Sequence, residues 1–156
     1  MKKILFTSLL FSLTLLSNAQ SNPKEEKKIT GKWRVHGIII DDKTYDVGYY
    51  GLDEILTEYI KKIQPDSEKD PKERAKQLLQ PLVYVTLTFN GKGDYIMGMD
   101  YLESPGTYTI NKGTLTFLKN NVPEYSMEYV FEEDHLILSS TTDPLKLKTI
   151  YRKTYF

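Results

Sequence analysis

The chain contains no cysteine. Disulfides, thiolate metal sites and a cysteine nucleophile are therefore excluded, and so is a lipid anchor attached to a cysteine behind a signal core. An excess of either charge is equally lacking: 21 Lys and Arg stand against 21 Asp and Glu, with no basic block. That balance gives no electrostatic reason to expect nucleic acid or an anionic membrane as a partner. Histidine is scarce, limited to His36 and His135, and Trp33 is the single tryptophan. The apolar run at residues 4–16 falls short of the roughly 20 residues that span a bilayer.

That run has another meaning. Met1-Lys2-Lys3 is basic, residues 4–16 are apolar, and Ser17-Asn18-Ala19 places small residues where a signal peptidase reads. Residues 1–19 are expected to be a signal peptide cleaved before Gln20, which implies a secreted or periplasmic protein without a membrane anchor. Residues 20–28 are polar and read as a flexible leader. Residues 29–156 suffice for one domain and are too few for two.

Within that domain the hydrophobic period changes twice. Residues 32–40 alternate, with Trp33, Val35, Gly37 and Ile39 on one strand face and Lys32, Arg34 and His36 on the other. An insertion at residues 43–80 is helical. Leu52, Ile55, Leu56, Tyr59, Ile60 and Ile63 recur at spacings of three and four, which predicts a helix over 51–64. A second helix is predicted over 71–80. Asp70 caps it, Pro71 takes the first position, Glu73 completes a capping box, and Pro81 ends it.

Beyond Pro81 the period is two. Strands are predicted at 83–89, 94–101, 106–110, 114–118, 125–131, 135–139 and 145–153, joined by short turns such as Asn90-Gly91-Lys92-Gly93 and Asn111-Lys112-Gly113. With the first strand these make eight, the number at which an antiparallel up-and-down sheet closes readily. The expected fold is all-β: an eight-stranded barrel with a two-helix insertion between its first two strands.

Certain residues carry a family likeness. Gly31-Lys32-Trp33 resembles the Gly-X-Trp signature of lipocalins. The runs Gly106-Thr107-Tyr108-Thr109-Ile110, Gly113-Thr114-Leu115-Thr116-Phe117 and Leu136-Ile137-Leu138 resemble small exported bacterial lipocalin-like domains. The likeness covers residues 29–153 and implies an eight-stranded barrel. In that family an Arg near the last strand packs over the signature Trp; Arg152 holds the corresponding place, on the strand face of Lys148 and Ile150. Lipocalins join their first two strands by a long open loop. Helices at that point look more like the lid of intracellular fatty-acid-binding proteins.

Catalysis finds little support. His36 and His135 lie opposite Trp33 and Leu136 on their strands, hence on the outside, and no nucleophile–base pair is legible. Asp41, Asp42 and Asp46, like Asp94, Asp100 and Glu103, lack calcium-loop spacing. The expectation is a protein that is not an enzyme, without a metal or cofactor. Strand parity turns Trp33, Val85, Leu87, Tyr95, Met97, Tyr108, Met127, Tyr129 and Tyr151 inward, together with Met99. Such a lining suits a small hydrophobic ligand. It equally suits a filled barrel that acts through its loops as an interaction or inhibitor module, with Tyr45, Tyr49 and Tyr50 as contacts. Because Ser17 and Ala19 occupy the cleavage positions, exported protein is expected to begin at Gln20. Intact-mass measurement of secreted material checks this, and a retained residue 1–19 segment would refute it.

Overall fold

Alternation builds a closed wall. The computed structural model describes residues 23–99 and 101–155; the expected signal segment, Asp100 and Phe156 lie outside them. A short helix α1 (Pro23–Ile29) precedes β1 (Gly31–Ile40) and β2 (Lys43–Asp46). Helices α2 (Leu52–Ile63) and α3 (Pro71–Leu82) follow. The chain then runs through β3 (Val85–Phe89), β4 (Asp94–Met99), β5 (Leu102–Asn111), β6 (Thr114–Lys119), β7 (Val122–Glu132), β8 (His135–Ser140) and β9 (Lys148–Thr154). Each strand from β3 to β9 pairs antiparallel with the next. Both β3 and β9 pair with β1, so the eight strands β1 and β3–β9 close as an antiparallel barrel. No described helix is long and apolar enough to cross a membrane.

The turns explain the tightness of the hairpins. Asp41-Asp42 and Asn120-Asn121 both place two consecutive residues at positive φ, 48° and 60° in the first and 52° and 62° in the second. That is the conformation whose twist matches flanking strands, and Asp and Asn tolerate it better than most residues.

The decisive irregularity lies in β1. Val35 pairs with Tyr151 and Gly37 pairs with Ile150, so the ladder skips one residue at His36. An odd slip moves every later side chain to the opposite face. Ile38 and Ile40 therefore join the face of Trp33 and Val35, and both are almost fully buried. The expected inward set of Gly37 and Ile39 is corrected accordingly. Directly opposite Ile38 stands Tyr45 of β2, a strand within what reads in sequence as a helical insertion. That too is a correction. The residue type at Lys43–Asp46 is unremarkable for a loop, and its strand state comes from the β1 edge left open where β3 turns away.

The helices cover the barrel end toward which β1 points. Leu52, Leu56 and Ile60 of α2 and Ala75 of α3 pack with Ile38, Ile40 and Leu145 in a second core, while Tyr45, Tyr59 and Leu147 flank it. Tyr59 donates to the Leu145 carbonyl at 2.8 Å, tying α2 to the segment before β9. The apolar stripe of α2 stops at Ile60, since Ile63 is exposed. At α3 Asp70 accepts from the Lys72 amide at 3.1 Å, as a cap should. Glu73 does not complete the box; it accepts from Gln77 at 3.2 Å instead. Pro81 sits inside the last turn and the helix runs on to Leu82, because a proline so near the end forfeits little of the helical ladder.

Two further expectations change. Residues 20–28 were expected to be a flexible leader, whereas Pro23–Ile29 is helical and Ile29 is buried in the barrel core. Arg152 is exposed rather than packed over Trp33. Lys153, the residue directly opposite Trp33, supplies the cation, its Nζ lying 5.3 Å from the ring centre. Leu56, with 0% exposure, tests the helical layer. Leu56→Ala should cost about 2–5 kcal/mol in urea unfolding followed by circular dichroism. A loss of less than about 1 kcal/mol would mean that the helices barely engage the barrel.

Candidate functional site

Directly paired residues share a sheet face, so the register identifies the inner wall. Leu87 opposes Met97, and Met97 opposes Ser104. Val85 opposes Met99, and Met99 opposes Leu102. Phe117 opposes Tyr125, Leu115 opposes Met127, and Tyr129 opposes Leu138. The wall divides into two levels.

The lower level is full. α1 lies across this end, and the Trp33 indole donates to the Ile29 carbonyl at 2.6 Å. Phe89 meets Tyr108 edge-on at 4.9 Å between ring centres, and Tyr129 meets Phe131 at 5.4 Å. Offset and edge contacts of this kind add to plain area burial. Glu25 Oε2 and the Tyr108 and Tyr129 hydroxyls are buried here, with no hydrogen-bond partner among the described residues.

The upper level is not full. Val85, Met97 and Met127 are only partly buried, and above them inward-facing side chains reach solvent: Met99 at 42% exposure, Leu102 at 63% and Tyr125 at 38%. The helices cover the β1–β9 side of this mouth and leave the β3–β7 side as an apolar cup. Its wall also parts. β5 pairs with β6 from Thr107 to Asn111, but above Thr107 the tip of β6 follows β7 instead. An open groove of about 610 Å3 occupies the gap, bordered by Tyr95, Gly106, Lys119 and Asn121.

Of the ten inward residues named from sequence, all but Met99 fall in one core cluster. Trp33, Leu87, Tyr95, Tyr108, Tyr129 and Tyr151 are buried; Val85, Met97 and Met127 border the cup. Trp33 and Tyr129 belong to the filled end, away from the mouth. The sequence reading missed Leu102 and Tyr125. Tyr125 was legible, since it shares parity with Met127 and Tyr129; Leu102 was hidden because β5 begins four residues earlier than its alternation suggests.

Tyr95 and Tyr125 form the polar part of the cup. The two phenols lie within electrostatic reach of each other. The Tyr95 ring passes over Gly106, where a methyl group would stand 2.7 Å from its hydroxyl. Phe117 meets Tyr95 edge-on at 4.9 Å and stacks on Tyr125 at 4.7 Å. Burial pushes the Tyr125 and Tyr151 phenols well above their ordinary range, and for Tyr125 the neighbouring Tyr95 and Tyr151 add to the effect. Burial also raises Tyr129, with the Glu25 carboxylate adding to it.

Among the described residues, both histidines and the carboxylates of Asp41, Asp46 and Asp94 lie on the outside. His36 and His135 stack at 5.7 Å between ring centres across the outer face of β9, and His36 lies 3.5 Å from Asp46. Asp41 is ion-paired with Lys62 at 2.7 Å, and Asp94 accepts from Asn90 at 2.6 Å. No group of three or more His, Cys, Asp or Glu among the described residues is arranged to hold a metal ion.

Neither a family model nor a curated protein matches the chain. A solved structure to which it is similar is that of a DUF4847 family protein from Bacteroides vulgatus, with a TM-score of 0.50 and 12% identity. The match covers 84% of this chain and 97% of that one. At that identity the likeness concerns the fold.

The raised tyrosines have a consequence for stability. Their folded pKa exceeds the ordinary value of 10.0, so the unfolded chain loses these protons first. Their contribution is complete below pH 10 and declines as pH climbs beyond it. Urea midpoints should hold steady from pH 8 to about 9.5 and fall above about 10. A midpoint unchanged at about pH 11.5 would contradict the burial of these hydroxyls.

Proposed function

We propose that the chain is a secreted, lipocalin-like binding protein that takes a small hydrophobic molecule into the open upper half of its barrel, without catalysing a reaction. The observation that carries this reading is the row of inward-facing apolar side chains left uncovered at the mouth: Met99 and Leu102 exposed, with Val85, Met97 and Met127 partly buried beneath them. Apolar area kept out of water is worth about 25 cal/mol per Å2, and a concave apolar lining with few polar groups is the usual character of a small-ligand site. The filled lower half limits the ligand to the cup, above the level of Trp33. A second reading, an interaction module, draws on Tyr50 and Tyr101, which are 98% and 88% exposed.

The test uses diphenylhexatriene, a hydrocarbon that fluoresces on leaving water. It should bind with a one-to-one limit. Leu102→Lys, at an exposed position that spares the fold, should weaken binding about tenfold or more by placing a charge on the rim. Met127→Arg should abolish it, with circular dichroism confirming the fold. Trp33 emission should change little, since its indole lies under α1. Absence of any bound probe would transfer the case to the interaction reading.

A further inference from the structure

The end of the barrel opposite the cup carries charges that the binding reading leaves unused. Beside α1 the lower rim opens into a concavity of about 330 Å3. Four charged side chains border it: Lys28 near the end of α1, Glu133 and Asp134 on the turn after β7, and Lys153 on β9. Trp33, the partly buried Phe131 and Tyr155 complete its wall. Each ammonium is held on an aromatic face. Lys153 Nζ lies 5.3 Å from the centre of the Trp33 ring and Lys28 Nζ 5.8 Å from that of Phe131, and the two rings are 6.2 Å apart. Lys153 also donates to the Lys28 carbonyl at 3.5 Å, which ties both lysines to one place. Gly31 leaves the room that the Lys153 stem occupies, for a β-carbon there would stand 2.7 Å from its Cε.

The carboxylates stand apart from these cations. Among the described residues no ion pair joins Lys28 or Lys153 to Glu133 or Asp134. The Asp134 carboxylate accepts instead from the Tyr155 hydroxyl at 3.4 Å. Two positive and two negative groups therefore share one concavity without pairing. A lone anion is drawn to the lysines and repelled by the carboxylates, and a lone cation meets the reverse. A molecule with one charge of each sign is attracted at both ends.

We propose that this lower rim is a second binding site, separate from the cup, for a small dipolar molecule with free carboxylate and ammonium ends. Lys28 and Lys153 take the carboxylate, Glu133 and Asp134 take the ammonium, and Phe131 borders the chain between them.

Trp33, the single tryptophan, borders this concavity and reports on it, whereas occupation of the cup leaves its emission nearly unchanged. Titration with 6-aminohexanoate at about pH 7.5 and constant ionic strength should shift that emission to a saturable limit. Hexanoate and hexylamine, which each keep one of the two charges, should need about tenfold higher concentrations or more, the worth of one charge-assisted hydrogen bond. Lys28→Gln and Glu133→Gln, both at exposed positions, should each raise the 6-aminohexanoate midpoint about tenfold, with circular dichroism confirming the fold. Triglycine carries the same two charges on a peptide, and the tighter of the two dipolar probes tells an amino acid from a peptide as the ligand. The proposal is overturned by equal potency of a singly charged probe, by an unmoved midpoint in either folded variant, or by no saturable response to either dipolar probe up to about 100 mM. Failure of diphenylhexatriene to bind in the cup leaves it in place.

Discussion

Between Val35 and Gly37 the ladder of β1 against β9 loses one residue of register, and the two ends of the barrel differ because of it. Before the slip, β1 contributes Trp33 and Val35 to the interior. After it, Ile38 and Ile40 take over the inner face and give α2 something to pack on. On the other edge of β1 the partnership with β3 ends at Arg34, and β2 takes that edge from Gly37 onward. An unpaired strand edge is costly inside a fold, and the hairpin through Asp41-Asp42 satisfies it at once. The slip thus presents Ile38 and Ile40 to the helices on one side of the mouth.

The remainder of the mouth stays open for a steric reason. An eight-stranded barrel has room for side chains and little else, and the lower half uses that room on aromatic rings set edge to edge. Higher up, β5 and β6 part above Thr107, so the circumference loosens where the residues become flexible methionines. Rigid rings below and adaptable thioethers above make a floor and a cup of the same continuous wall.

Charge is distributed to match. Phenols in the interior are held neutral by burial, whereas the stacked histidines, the Asp46 beside them and the Asp41–Lys62 pair are all outside the wall. The site residues legible in sequence were those whose strands alternate without interruption, such as Tyr95 and Met97 or Met127 and Tyr129. Tyr125 follows the same rule one step earlier. Leu102 does not, because Glu103, Ser104 and Pro105 gave no apolar alternation to extend β5 upward.

Sequence by itself determined the strand count of the barrel, the hairpin turns and the existence of both long helices. These depend on local physics: side chains alternating along a strand, Asp, Asn and Gly accepting positive φ, and apolar residues spaced at helical intervals. Tertiary structure alone decided the rest. Which isoleucines of β1 face inward depended on pairing with β9, which is distant in sequence. Whether Arg152 or Lys153 stands over Trp33 depended on the same register. The helicity of residues 23–29 followed from the open barrel end that Ile29 fills, and the strand state of Lys43–Asp46 from an edge vacated by β3. Each of these is a contact between segments far apart along the chain, and no local pattern of side chains encodes how such segments slide past one another before they lock.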